Sequence, residues 1–149
     1  MRTHTIKRSA RADAIDLAKL KAETDLVGYP IVGLVHQLAK QCGDAGRYIH
    51  WGATTQDIMD TATVLQIRDA LDIVAQDLAA IETALRTLAQ KHRTTVMAGR
   101  THLQHALPVT FGHKAAVWLG MILRHRQRLA ELKPRVLVGQ FAGAAGTLA

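Results

Sequence analysis

Two stretches of this chain place imidazoles and hydroxyls beside the start of a helical pattern. The first is His50-Trp51-Gly52-Ala53-Thr54-Thr55-Gln56-Asp57. Backbone N–H groups at a helix N-terminus have no intrahelical acceptor, so with two hydroxyls and an imidazole they make a cradle for a carboxylate or phosphate. The same residues also suit a plainer role. Thr54 with Asp57 three positions on has the form of a capping box, and His50 would then pack in a turn. The second stretch is Gly99-Arg100-Thr101-His102-Leu103-Gln104-His105-Ala106-Leu107-Pro108. Arg100 offers a planar fork for a carboxylate, and His102 or His105 can exchange protons near neutral pH. The alternative is a structurally paired Arg100 and two histidines satisfied by backbone. The His-x-x-His spacing has no third ligand of matching character nearby, so no metal is expected. Gly139, Gly143 and Gly146 lack the spacing and the following Lys of a phosphate-binding loop, and no Gly-x-Ser-x-Gly elbow occurs.

These loops need elements to hold them. A helical pattern from Asp13 is interrupted at Gly28 and Pro30. A second helix is predicted from Pro30 to about Cys42, with Gly43 to Gly46 as its stop. The dominant signal follows. From Leu71, apolar residues recur as Val74, Leu78, Ile81, Leu85 and Leu88, a strict heptad seam. The absence of Gly and Pro between Ala53 and Val96 predicts one helix from about Thr55 to His92, roughly 55 Å long at 1.5 Å per residue. Such a helix cannot bury its seam within a small globule and calls for a bundle. Residues 94–107 break the periodicity and are expected to be an extended loop. Pro108 is then expected to open a last helix over Val109 to Arg135, basic on its polar face, before a Gly/Ala-rich end.

Composition supports helices: of 149 residues 48% are hydrophobic but only 4% aromatic, which points to Ala- and Leu-rich packing. No apolar run has the length and continuity of a membrane span, and one cysteine excludes a disulfide framework and fits a cytoplasmic setting. Charge is uneven. Residues 1–82 hold nine Lys/Arg against eleven Asp/Glu; residues 83–149 hold ten against Glu131 alone. A basic half can face nucleic acid, a membrane surface or an anionic small molecule. Without basic runs interleaved with aromatics or an RNA-binding signature, nucleic acid is the weaker reading.

Taken together, the motifs resemble the fumarase/aspartase superfamily. His50-x-Gly-x-Thr54-Thr55-x-Asp57-x-x-Asp60-Thr61 looks like its first signature region. Arg100-Thr101-His102-x-x-x-Ala106-x-Pro108-x-Thr110-Phe111-Gly112 looks like its second, and Gly143-Ala144-x-Gly146-Thr147 like the glycine-rich turn that follows. Trp51, Gln56 and the run Leu107 to Gly112 look most like the 3-carboxy-cis,cis-muconate cycloisomerases. That branch often has a tryptophan where His102 stands, so the histidine is more like that of an adenylosuccinate lyase. The resemblance covers roughly residues 13–149.

It implies an all-α fold of long helices with a short irregular or extended segment between the two main ones, assembling as a homotetramer around a central bundle. Residues 1–12 would be a basic flexible tail, 13–54 the end of an N-terminal helical region carrying the first signature loop, and 55–149 the first part of the bundle domain. It also implies β-elimination, releasing fumarate or a related product from a polycarboxylate, or the related cycloisomerisation, without cofactor or metal. By resemblance Thr54, Thr55 and Thr101 hold substrate carboxylates, with His50 and Arg100 as further binding residues, and His102 transfers the proton. The family's catalytic serine lies in a third, Ser-, Met- and Lys-rich loop, and each of its active sites draws on several subunits. Ser9 is the only serine here, so these residues are expected to be inactive alone. The competing expectation is a non-catalytic helical oligomerisation or interaction module derived from such an enzyme.

Overall fold

The computed structural model describes residues 2–148. The basic N-terminal stretch, expected to be a flexible tail, is helical over Arg2–Ser9 (α1) and packs on the elements formed by residues 31–48. The reason is a weak amphipathic side: Ile6 is half-buried, and just beyond the helix the Arg11 N–H donates to Gln41 Oε1 at 2.8 Å. A 3-10 turn over Ala12–Ala14 leads to α2, Leu17–Val27. Asp16 caps α2 by accepting from the Lys19 N–H at 2.9 Å, and Gly28 at φ 93° ends it in a left-handed turn.

Helix α3, Ile31–Cys42, begins one residue later than predicted, with Pro30 at the N-cap instead of the first helical position, and packs against α2. Gly33 makes that approach possible, because a Cβ there would overlap the Glu23 carboxylate. The stop expected over Gly43 to Gly46 is part of a 3-10 helix, Gly43–Tyr48, whose Gly46 sits directly on the backbone of Ala39. Then comes α4, Thr55–Lys91, 37 residues long and within one residue of the predicted span.

The segment expected to be an extended loop is instead a β-hairpin. Strand β1, Val96–Thr101, pairs antiparallel with β2, Gln104–Thr110, from Val96 opposite Thr110 to Thr101 opposite Gln104, with an irregularity between Ala98 and Arg100. Pro108 therefore lies in a strand, opposite Ala98, and does not open the last helix. That start belongs to Thr110, whose hydroxyl accepts from the His113 N–H at 3.1 Å and caps α5, Phe111–Val136.

By internal packing the chain forms two units: residues 1–63 with 139–149, and residues 64–138. The first holds α1 to α3, the beginning of α4 and the C-terminal segment; Ile31, Cys42 and Ala45 are its buried apolar side chains. The second holds the rest of α4, the hairpin and α5, with Ala115 fully buried. In this unit α4 and α5 are tied by the ion pairs of Glu82 with Arg126 and of Asp72 with Lys133 (2.6 Å), while Glu82 also pairs within α4 with Arg86 (2.7 Å). Of the seam, Val74 and Ile81 remain 43% exposed, so the heptad is only partly used inside this unit. No described helix is long and apolar enough to cross a membrane.

Candidate functional site

In the first unit, the loop before α4 is shaped by two left-handed residues, His50 (φ 63°) and Gly52 (φ 73°), with the Ala53 N–H returning to the His50 carbonyl at 3.3 Å. A non-glycine residue in this region is strained, and His50 is held there, half-buried. Trp51 is 76% exposed beside Tyr48, whose ring lies under the Arg47 guanidinium at 5.0 Å. Thr54 and Thr55 follow, both half-buried, at the positive end of α4.

What fixes this loop is Asp57, only 1% exposed. Its Oδ2 accepts from the Thr54 N–H at 2.9 Å, the reaching-back half of the expected capping box. The carboxylate also accepts two bonds from much later in the chain: the Ala142 N–H on Oδ1 and the Gly143 N–H on Oδ2, both at 3.0 Å. The Thr54 N–H above all, and then that of Ala142, hold the Asp57 carboxyl below the ordinary carboxylate range against the opposing effect of burial.

The C-terminal segment thus lies over the start of α4. Thr61 Oγ1 donates to the Gln140 carbonyl (3.2 Å) and accepts from the Gln140 N–H (3.0 Å). The Leu148 N–H closes the turn onto the Ala142 carbonyl at 2.8 Å. Gly143 stands at φ 75° with the Gly52 carbonyl so close that an added Cβ would lie 2.9 Å from it. Capping logic alone gave Asp57 only a local partner. The signal that points further is a glycine-rich turn whose N–H groups need an acceptor.

In the second unit, Arg100, Thr101 and His102 run up β1 to the hairpin tip, and all three are exposed. Leu103 completes the turn at φ 56° and is 94% exposed. Gly99 makes the bulge possible, because a side chain there would collide with the Leu107 carbonyl. His105 pairs across the ladder with Arg100. Between the hairpin and the start of α5 lies a cavity of about 440 Å³, bordered by Arg100, Leu107, His113, Lys114 and Trp118. The Lys114 ammonium sits 5.2 Å from the centre of the Trp118 ring. Gly112 packs on the carbonyls of Ala89 and His92 at the end of α4, which sets where α5, and with it the hairpin, leaves that corner.

The candidate residues therefore form two groups: His50, Thr54 and Thr55 on the loop of the first unit, and Arg100, Thr101 and His102 on the hairpin of the second. Donors for anions and one titratable imidazole in each group suit carboxylate binding and proton transfer. Among the described residues no three His, Cys, Asp or Glu side chains come together as a metal cluster.

A protein-family model described as lyase matches residues 13–149. Trans-aconitate decarboxylase 1 of Mycosarcoma maydis is 51% identical over 146 residues, 97% of this chain and 30% of that protein. The 3-carboxy-cis,cis-muconate cycloisomerase of Pseudomonas aeruginosa is 49% identical over 148 residues, 97% of this chain and 32% of that one. A solved structure described as fumarate lyase from Mesorhizobium sp. BNC1 superposes with TM-score 0.95 at 58% identity, over 99% of this chain and 35% of the other. The chain spans about a third of the length of the curated relatives it matches.

Proposed function

This chain belongs to the lyase family, the fumarase/aspartase superfamily, in the group of adenylosuccinate lyases and carboxymuconate cycloisomerases, and from that membership we propose that it carries the carboxylate-holding part of an active site for β-elimination or the related cycloisomerisation. The substrate class is a polycarboxylate. Aconitate, carboxymuconate and fumarate, named in the similar proteins, all fit that class.

The chemical problem is removing a weakly acidic C–H next to a carboxylate. The site must stabilise the doubly charged aci-carboxylate with fixed donors and deliver a proton to the leaving atom. In this reading Thr54, Thr55 and Thr101 hold carboxylates, Arg100 adds its fork, His50 binds substrate, and His102 transfers the proton. No cofactor or metal takes part. The observation that carries the reading is the Thr54–Thr55 pair, fixed by Asp57 at the N-terminal end of a 37-residue helix. Residues 13–54 then end an N-terminal helical region after a basic first dozen, and residues 55–149 begin the bundle domain of a cytoplasmic homotetramer. Nothing among these residues supplies the serine base, so they do not turn over substrate by themselves.

The test is titration of the purified chain with fumarate, followed by NMR at the threonine methyl groups, with acetate as control. Shifts at Thr54 and Thr55 that saturate with fumarate are expected, with the accompanying backbone amide shifts over residues 50–58 lost in T54V/T55V; their absence in wild type, or amide shifts unchanged in the variant, sinks the assignment. Fumarate release from adenylosuccinate, or lactone formation from carboxymuconate, at ordinary enzyme rates by the chain alone would overturn the missing-base part. The half-exposed Val74 and Ile81 also favour a second reading, a helical module that associates without catalysis. Light scattering that finds a folded monomer counts against it.

A further inference from the structure

The first signature loop contains a charged side chain that substrate cannot reach. Asp57 is 1% exposed, yet it sits three residues after Thr54 and two after Thr55, where a bound anion would be repelled by an uncompensated negative charge. Three backbone N–H groups point at its two oxygens, one from Thr54 and two from the turn at Ala142 and Gly143. Bonds of this charge-assisted kind are about twice as strong as neutral ones, and they spread the carboxylate's charge over fixed dipoles. The turn itself is braced, with Gly146 N–H to the Gly143 carbonyl at 3.3 Å and Leu148 N–H to the Ala142 carbonyl at 2.8 Å. On the other side, the Gly52 carbonyl rests against Gly143. The backbone from Gly52 to Thr54 is therefore fixed from two directions by one turn of chain.

We infer that Asp57 is a positioning residue for carboxylate binding: it locks the Thr54–Thr55 step to the Ala142–Gly143 turn and so sets where the two hydroxyls stand. The inference rests on the assignment of Thr54 and Thr55 as carboxylate-holding residues. It differs from a role in general stability, because Thr61 fastens the same segment through two bonds to the Gln140 backbone, neither of which involves the Asp57 carboxylate, although the Gln140 side chain also bonds that carboxylate. Asparagine at 57 keeps the shape. It also turns one oxygen into an N–H₂ that faces an N–H donor, so at least one of the three bonds is lost.

The experiment compares wild type, D57N and T61V of the whole chain by fumarate binding in calorimetry, well below the melting temperature of each, and by hydrogen exchange. In D57N, exchange over residues 50–58 is expected to quicken at least tenfold, with the hairpin unchanged, and the fumarate Kd to rise at least tenfold. In T61V the Kd stays within twofold of wild type. A purely structural role would lower the melting temperature of both variants and leave the Kd of the folded chain alone. Unchanged fumarate binding in D57N, or equal weakening in T61V, overturns the inference while the threonine assignment stands. No fumarate binding in wild type overturns both. Should D57N fail to fold, G143A moves the Gly143 N–H without altering the carboxylate and is expected to weaken binding in the same way.

Discussion

The Asp57 carboxylate and the Gly143 N–H are 86 positions apart in the chain and 3.0 Å apart in space. That bond joins the beginning of the longest helix to the glycine-rich turn near the C-terminal end. It makes the conformation of the first signature loop depend on residues that share no local sequence context with it.

Acid should loosen this junction. The folded-state carboxyl of Asp57 lies below its ordinary value of 3.8, chiefly because the Thr54 N–H donates to it. A group depressed in this way contributes stability above its unfolded pKa and loses it as pH falls through the lower folded value. Protection against hydrogen exchange over residues 139–148, relative to the intrinsic rate at each pH, should therefore hold down to about pH 5 and fall progressively below pH 4. D57N should flatten that dependence.

The glycines at 143 and 146 should respond differently to alanine. Both have positive φ, 75° and 79°, so each substitution carries the left-handed cost of roughly 1–2 kcal/mol. Only at Gly143 does the new Cβ also meet the Gly52 carbonyl, at 2.9 Å, whereas nothing lies within 4 Å at Gly146. Denaturant unfolding should rank G143A as the more damaging, and equal losses would argue against the close approach.

Gly99 should be intolerant for a different reason. Its backbone is unremarkable in φ, but a side chain would strike the Leu107 carbonyl across the ladder. G99V is expected to disorder the hairpin, seen as rapid exchange over residues 96–110, while α4 keeps its helical signal. A hairpin as protected as wild type would rule this out.

Glu82 joins Arg86 on its own helix to Arg126 on α5, and both partners hold its carboxyl below the usual range, Arg86 more than Arg126. E82Q should lower the thermal midpoint of the chain at neutral pH and low salt. The difference should shrink at 0.5 M salt and disappear on acidification, since these pairs are partly solvated.

The unburied seam gives the last expectation. Val74 and Ile81 are 43% exposed on a heptad that Leu78, Leu85 and Leu88 share. V74E/I81E should shift the chain toward monomer by at least tenfold in sedimentation equilibrium, because charge on an apolar seam costs more than any contact it replaces. An unchanged distribution would mean that this face is not where copies meet.

What could be read from the sequence follows the range of the interactions. Helix α4 was legible because its seam repeats without interruption from Leu71 to Leu88, and α3 because Pro30 marks its start. The hairpin was not: residues 101–108 are exposed on both sides, so no alternation of apolar and polar positions records a strand, and Pro108 imitates a helix start. The N-terminal helix was hidden by its charge, since Lys7 and Arg8 follow directly on its apolar anchor at Ile6. Of the candidate site, the threonines and His102 stood out by type and spacing. Asp57's deeper role did not, because its donors at Ala142 and Gly143 are backbone groups, which carry no side-chain signature, and they lie 85 and 86 residues away.

The placement of Ala142 and Gly143 also sets a rule for where this polypeptide can be shortened. The end of α5 at Val136 looks like a natural boundary, with regular structure finished and glycines and alanines beyond it. Cutting there would strip the Ala142 and Gly143 donors from a carboxylate that has 1% of its surface in water. Any piece designed to keep the Thr54–Thr55 loop intact must run on through the turn to Leu148, irregular as that stretch is.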